Sequence, residues 1–301
     1  MSQEIIRWGG FHLLIIFLLM LDLGVFHRRP HEIKPKEALG WSGFWIALSL
    51  LFNVYIYFYE GPGKALEFFT GYLVEKSLSI DNIFIFIVIF SYFEVPLRDQ
   101  HRVLFHGIIA AFILRLGLIL AGASLLEAFN WVKYFFGSFI AFTGVKLIFQ
   151  QEHRYSPESN PLVRWAIKRF RVTKEYHHGR YFIVRKGVLF ATPLFLVLLV
   201  IESTDLVFAL DSVPAILAIT TDRFIVYTSN VFALLGLRSL YFVIARFMKM
   251  FRYLKIGLGL VLIYIGIKLG VSSFFHIPLG YSLLIVATIL GLSVIYSIKK
   301  K

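Results

Sequence analysis

The chain contains no cysteine, which excludes disulfides and removes thiolate from the possible metal ligands. Charge is scarce as well. Only 16% of its 301 residues are charged and 58% are hydrophobic, whereas a soluble domain carries about 25% charged and 45–50% apolar residues. Acids are the minority within that small set, 18 Asp and Glu against 31 Lys and Arg. No Gly-rich phosphate loop and no nucleophile–His–acid arrangement occurs, so the sequence reads as neither an ATPase nor any other enzyme. Work would have to come from a gradient or a membrane potential. The net charge of +13 is not a nucleic-acid footprint, because the basic residues are spread through the segments between apolar runs.

Those runs fall near 5–26, 41–59, 65–93, 103–125, 130–149, 188–219, 224–246, 253–271 and 280–297. At about 20 residues per span, nine transmembrane helices are expected, an all-α polytopic membrane protein of one membrane domain. Arg7 precedes the apolar run Phe11–Phe26 with no small-residue cleavage signature, so the first run reads as a retained helix. The stretch 150–187 is the one sizeable hydrophilic loop, and it is strongly basic. With the C-terminal Lys299–Lys301 placed in the cytoplasm, cytoplasmic segments hold 22 of the 31 basic residues, external segments 4, and spans the remaining five. That asymmetry supports nine spans with the N-terminus outside. Shifting the count by one helix would destroy it.

The chain also repeats itself. Ser79-Ile80-Asp81 aligns with Ser203-Thr204-Asp205. Asp81 precedes Arg115 by 34 residues and Asp205 precedes Arg238 by 33; Lys146 follows Arg115 by 31 and Lys268 follows Arg238 by 30. Each unit has three spans carrying an acid, an arginine and a Gly-x-Lys. Three is odd, so the second copy enters the membrane from the opposite side. Residues 65–149 and 188–271 would thus form a 3+3 inverted-topology repeat, preceded by two N-terminal helices (5–59) and followed by one (280–297). In such architectures the substrate site lies near the midplane on interrupted helices.

Away from the run ends that hold Asp22 and Glu67, five carboxylates lie deep in these runs: Glu75 and Asp81 in the third, and Glu202, Asp205 and Asp211 in the sixth. Each costs roughly 2.5–3.5 kcal/mol near the bilayer centre, and five cost on the order of 15 kcal/mol unless paired or hydrated. Residues six apart on a continuous helix are separated by about 120°. Glu75 could therefore share a face with Asp81, and Asp205 with Asp211, only if the helix breaks. Ser77, Ser79, Ser203, Thr204 and Pro214 offer places to break it, so unwinding or a kink is expected in spans three and six. Oxygen ligands without sulfur suit hard divalent ions. The functional reading is a metal site lined by Asp81, Asn82, Glu202, Asp205, Asp211 and Glu75. Ser79, Ser203, Thr204 and Ser212 would supply hydroxyls, and Arg115 and Arg238 would balance charge. The bland reading is a set of buried ion pairs, Asp81 or Asp205 with Arg115 or Arg238, that locks the bundle. Lys146 and Lys268 read as snorkelling residues near helix ends. His106 reads as structural, His177-His178 as solvated, and Asp22 as a partner of the His27-Arg28-Arg29 segment.

Long motifs carry a family resemblance: Leu21-Asp22-Leu23, Glu37 to Ser42, Phe68 to Asn82, Ala191 to Phe195, Glu202 to Ile216, Thr228-Ser229-Asn230 and Arg238 to Phe242. They resemble the TerC family of integral membrane proteins, and within it the Alx-type branch, grouped with the LysE superfamily of exporters. The resemblance covers nearly the whole chain. It implies Mn²⁺ export across a bacterial inner membrane, with Mn²⁺ as the transported ion and no permanently bound cofactor. Proton exchange would be the coupling. The family's tellurite label fits less well, since an oxyanion wants a cationic lining and these runs are acidic. The competing class is a non-transporting scaffold that serves metalation of secreted proteins or stress resistance, with secretion machinery as its partner and the basic loop carrying its function. Ca²⁺ or an oxyanion is the alternative cargo.

Overall fold

The computed structural model of the chain describes residues 2–24, 35–129, 131–149, 160–177, 179–247, 254–272, 275 and 277–299; the side chains at 2, 3, 21–24, 35, 81, 211, 246, 247, 254, 279 and 298 lie outside that description. Two compact units are present, Met1–Lys34 and Pro35–Lys301. The first holds helix α1 (Ser2–Gly24), with Phe11, Ile15 and Leu18 on one stripe.

The second unit contains α2 (Pro35–Glu60), α3 (Pro62–Tyr92), α4 (Leu97–Ala128), α5 (Trp131–Phe149), α6 (Pro161–Arg169), β1 (Arg171–Val172), β2 (Phe182–Arg185), β3 (Val188–Ala191), α7 (Pro193–Leu217), α8 (Arg223–Leu235), α9 (Leu237–Phe247), α10 (Leu254–Val271) and α11 (Leu279–Lys299). Punctuation in the sequence sets many of these boundaries. Pro62, Pro161 and Pro193 occupy first turns, where a missing N–H costs nothing. Asn160 caps α6 by accepting from Leu162 N–H at 2.9 Å. Asp222 caps α8 by accepting from Phe224 N–H at 3.0 Å and Ile225 N–H at 3.2 Å.

Within the described residues the nine apolar runs lie mainly on helix, the sixth opening on strand β3 and the seventh divided between α8 and α9. Among the described residues, Lys36–Glu60, Leu97–Ala128, Trp131–Phe149, Pro193–Leu217 and Gly280–Ser297 are long and apolar enough to cross a membrane. The pair α8 and α9, bent by 44°, makes a sixth. In α3, every stretch of spanning length holds Glu75, Lys76 and at least one further charge. The outer surface carries large apolar side chains such as Leu13, Phe58, Ile113, Phe142 and Leu284, the composition of a lipid-facing surface. The protein is an α-helical, multi-pass membrane protein.

Two expectations are corrected. Spans three and six are not broken: α3 and α7 are each one unbroken helix. The hydroxyls expected to disrupt them instead donate back into the helix, Ser77 to Leu73 O at 2.7 Å, Ser79 to Glu75 O at 2.8 Å and Thr204 to Val200 O at 2.6 Å. Such back-bonding satisfies the side chain within the turn. Pro214 lies in the last turn of α7, where little helix remains to interrupt. The break falls in span seven, at Gly236. The sixth run also starts late, because residues 188–191 form strand β3.

The described part of the basic loop is folded. β3 pairs parallel with β1 and antiparallel with β2. This small sheet is tied to the ends of α3 and α4, with Tyr176 Oη donating to Phe93 O at 2.6 Å and Arg102 Nη1 to Gly179 O at 2.8 Å. Burial pushes the Tyr176 phenol up to about 12, helped by the charges of Asp99 and Glu94, so it remains a donor at neutral pH. Residues 150–159 lie outside the described residues.

The tightest helix pair is α5 with α10. A Cβ at Gly137 would lie 2.7 Å from Gly266 O, and one at Gly144 would lie 2.5 Å from Gly259 O. The reverse approaches, Gly266 to Gly137 O and Gly259 to Gly144 O, are 2.5 and 2.7 Å. Backbone touches backbone on both sides, which only small residues permit. Gly144→Ala is expected to cost about 1–3 kcal/mol by overpacking, read as a lower unfolding temperature in detergent. Gly291→Ala, whose Cβ would meet nothing within 4 Å, should leave that temperature unchanged.

Candidate functional site

The site is built around Arg115, a cation on α4 with 0% exposure. Its Nη1 donates to a Glu75 carboxylate oxygen from α3, to Asn230 Oδ1 from α8 at 3.2 Å and to Ser212 Oγ from α7 at 3.5 Å. Its Nη2 donates to Asp205 Oδ1 from α7 at 3.3 Å. One guanidinium thus ties four helices together. The planar five-donor fork makes this possible, since a lysine could not reach partners in four directions. The guanidinium is the counter-charge of both acids, and burying a charge unpaired costs several kcal/mol.

The pairing is incomplete. Glu75 Oε2, Asp205 Oδ2 and both carboxyl oxygens of Glu202 are buried with no hydrogen-bond partner, as are Arg115 Nε and Asn230 Nδ2. Glu202 sits one turn before Asp205 on α7 and points at Gly107 of α4, where a Cβ would stand 3.5 Å from its Oε1. Gly107 also lines a cavity of about 10 Å³, walled by Phe86, Leu104, Ala111, Leu234 and Asp205. That is roughly the room one water needs. The structure therefore joins Glu75, Asp205, Ser212 and Arg115 directly, with Glu202 beside them.

The other expected residues are distributed differently. Asn82 and Ser79 are buried on α3, and Ser79 bonds only its own helix. Ser203 accepts from Asn160 Nδ2 at 2.6 Å, which links the start of α6 to the acidic motif. Asp81 and Asp211 occupy positions on α3 and α7, and their side chains lie outside the described residues. With both helices unbroken, Asp81 lies about 120° around the axis from Glu75, and Asp211 the same from Asp205. Unwinding does not bring all five acids to one point. Among the described residues, no three acids or histidines come within reach of a single metal ion. Arg238 is buried on α9. Lys146 and Lys268 lie in the last turns of α5 and α10. His106 Nδ1 lies 2.8 Å from Arg102 O and 3.1 Å from Tyr181 Oη. His177 Nε2 lies 3.3 Å from Arg185 Nη2. His178 and the His27–Arg29 segment lie outside the described residues.

Two polar positions in the helix interior were given no individual role in the sequence. Asn230 appeared there only as part of a family motif, yet it is fully buried and accepts from Arg115. Lys76 was counted as a basic residue within a span and given no role. Its Nζ donates to Ala233 O of α8 at 3.0 Å. A lysine in the middle of an apolar run was the available signal.

The sequence profile described as "Integral membrane protein TerC family" matches residues 60–301. The chain belongs to the TerC family. Among TerC-like relatives, "Uncharacterized membrane protein STKORF319" of Myxococcus xanthus is 48% identical, over 97% of this chain and 92% of its own. The protein named "Putative membrane-bound redox modulator Alx" in Escherichia coli K12 is 44% identical, over 96% and 92%. An "Uncharacterized membrane protein" of Rickettsia bellii is 41% identical, over 98% and 97%. No solved structure matches this TerC chain. Removing the central cation tests the hub. Arg115→Met strands Glu75 and Asp205 and is expected to destabilise the fold by about 3–5 kcal/mol. Adding Glu75→Gln should restore part of that loss, read by unfolding of the purified protein.

Proposed function

We propose that this protein exports a divalent cation, Mn²⁺ above all, from the cytoplasm across the bacterial inner membrane. The C-terminus would be cytoplasmic and the N-terminus external, and proton exchange would supply the coupling. The observation that carries this reading is the set of buried carboxylate oxygens without partners at Glu75, Glu202 and Asp205. Hard lone pairs held in an apolar interior attract a hard cation, and intramembrane acids mark ion pathways. The described state is closed. Its cavity has room for about one water, and Arg115 neutralises Glu75 and Asp205. Arg115 acts as a resident surrogate for the cargo, and the ion enters as the guanidinium lets go. Asp81 and Asp211 extend the acidic path along α3 and α7.

The printed name of the E. coli relative, a redox modulator, is compatible with this reading. A chain without cysteine has no thiol with which to exchange electrons. Moving a redox-active metal ion across the membrane would change redox balance indirectly. The scaffold alternative draws on the folded basic cap and its Asn160–Ser203 link to the acidic motif. Under the export reading, Asp205→Asn and Asp81→Asn each abolish Mn²⁺ efflux from metal-loaded cells at normal membrane abundance. Intracellular Mn measured by mass spectrometry at two external pH values checks this. Unchanged efflux in both variants rejects export, and loss of phenotype on replacing 160–191 alone favours the scaffold.

A further inference from the structure

Helix α8 stops at Leu235, and after Gly236 the chain resumes as α9 at an angle of 44°. The carbonyls of a last helical turn have no intrahelical partners, and the terminus carries about half a negative charge. Residues 224–235 of α8 are all buried, so water does not relieve that end. In this chain a cation does. The ammonium of Lys76, arriving from α3, donates to Ala233 O at 3.0 Å. Gly236 makes the room: a Cβ there would lie 2.8 Å from Lys76 Nζ and 3.1 Å from Trp45 Cβ. Glu75 and Lys76 are neighbours that point to different places. The carboxylate goes to Arg115 and the ammonium to the break.

The arrangement is also unmatched in the rest of the chain. Aligned on the Arg115–Arg238 spacing, the position of Gly236 corresponds to Ile113, within unbroken α4. Aligned on Asp81–Asp205, the position of Lys76 corresponds to Val200 on α7. A break without a lysine, or a lysine without a break, would leave bare carbonyls or a bare charge. The two occur together and face each other.

Broken helices in transporters commonly present the C-terminal end of a half-helix to a coupling cation. We propose that the α8–α9 break is a monovalent-cation site whose occupant is built into the chain, the Lys76 ammonium standing where a Na⁺ or K⁺ ion would otherwise bind. Lys76 is thus a tethered cation that makes the broken span independent of free alkali ions. The inference concerns this break alone and does not depend on which ion the acidic site carries.

The test is thermal unfolding of the purified full chain in NaCl, KCl or choline chloride at equal ionic strength. Lys76→Ala opens the site. It should unfold roughly 2–4 °C higher in Na⁺ or K⁺ than in choline, the shift expected when an ion at about ten times its dissociation constant binds the folded state. The parent protein and Lys76→Arg, which keep a tethered cation, should unfold at one temperature in all three salts. Recovery of folded Lys76→Ala only in Na⁺ or K⁺ would support the proposal equally. Three results would overturn it: no salt preference in Lys76→Ala, the same preference in the parent protein, or failure of Lys76→Ala to fold in any of the salts. The last would mean that a free ion cannot replace the ammonium.

Discussion

The fold depends on placing one guanidinium where there is no water. Arg115 draws on α3, α7 and α8 from its seat on α4, and each of those helices brings a polar group it could not otherwise bury. In an aqueous core, apolar area would bring the helices together. In lipid that drive is absent, and packing and polar contacts between helices replace it. The hub supplies the polar share. The α5–α10 crossing supplies the other, through backbone surfaces close enough that an alanine would be one methyl too many.

Much of this was legible in the sequence. The nine apolar runs lie mainly on helix, and the caps at Asn160 and Asp222 and the prolines at first turns stand where local chemistry puts them. The acids were legible as anomalies because a carboxylate among Ile, Leu and Phe has no neutral explanation. Partner choice was legible in part: Asp205 with Arg115 was among the expected ion pairs. That Glu75 joins them depends on how two helices rotate against each other, and a run that is apolar on all sides carries no periodicity to report that rotation. The breaks were misplaced for a related reason. A serine that bonds back to its own helix and one that disrupts it look alike in sequence, whereas the end of α8 before Gly236 is met by a lysine about 160 residues away in sequence. The sheet in the basic loop was missed because its strands are two to four residues long, too short for an alternating pattern.

Lys76 changes the electrostatic account of the membrane interior. Away from the helix ends that hold Lys146 and Lys268, the five site acids face three cations, Lys76, Arg115 and Arg238, and two negative charges remain. A bilayer-embedded bundle holding a residual charge of that size is close to neutral once it carries a single dication. The reciprocal glycine contacts fit the same picture. The proposed repeat would exchange Gly137 with Gly259 and Gly144 with Gly266, mapping the two close approaches of α5 and α10 onto each other, as an axis running between them would.

Helix α8 has a consequence for how the protein is made. Its last twelve residues are buried within the chain, so it is a membrane segment that scarcely meets lipid. Its main neighbours are α2, α3, α4 and α9, and three of the four precede it in translation. Chains emerge N-terminus first. The slot for α8, including the lysine that receives its end, is therefore synthesised before α8 itself, which enters as a late piece fitted into a finished wall.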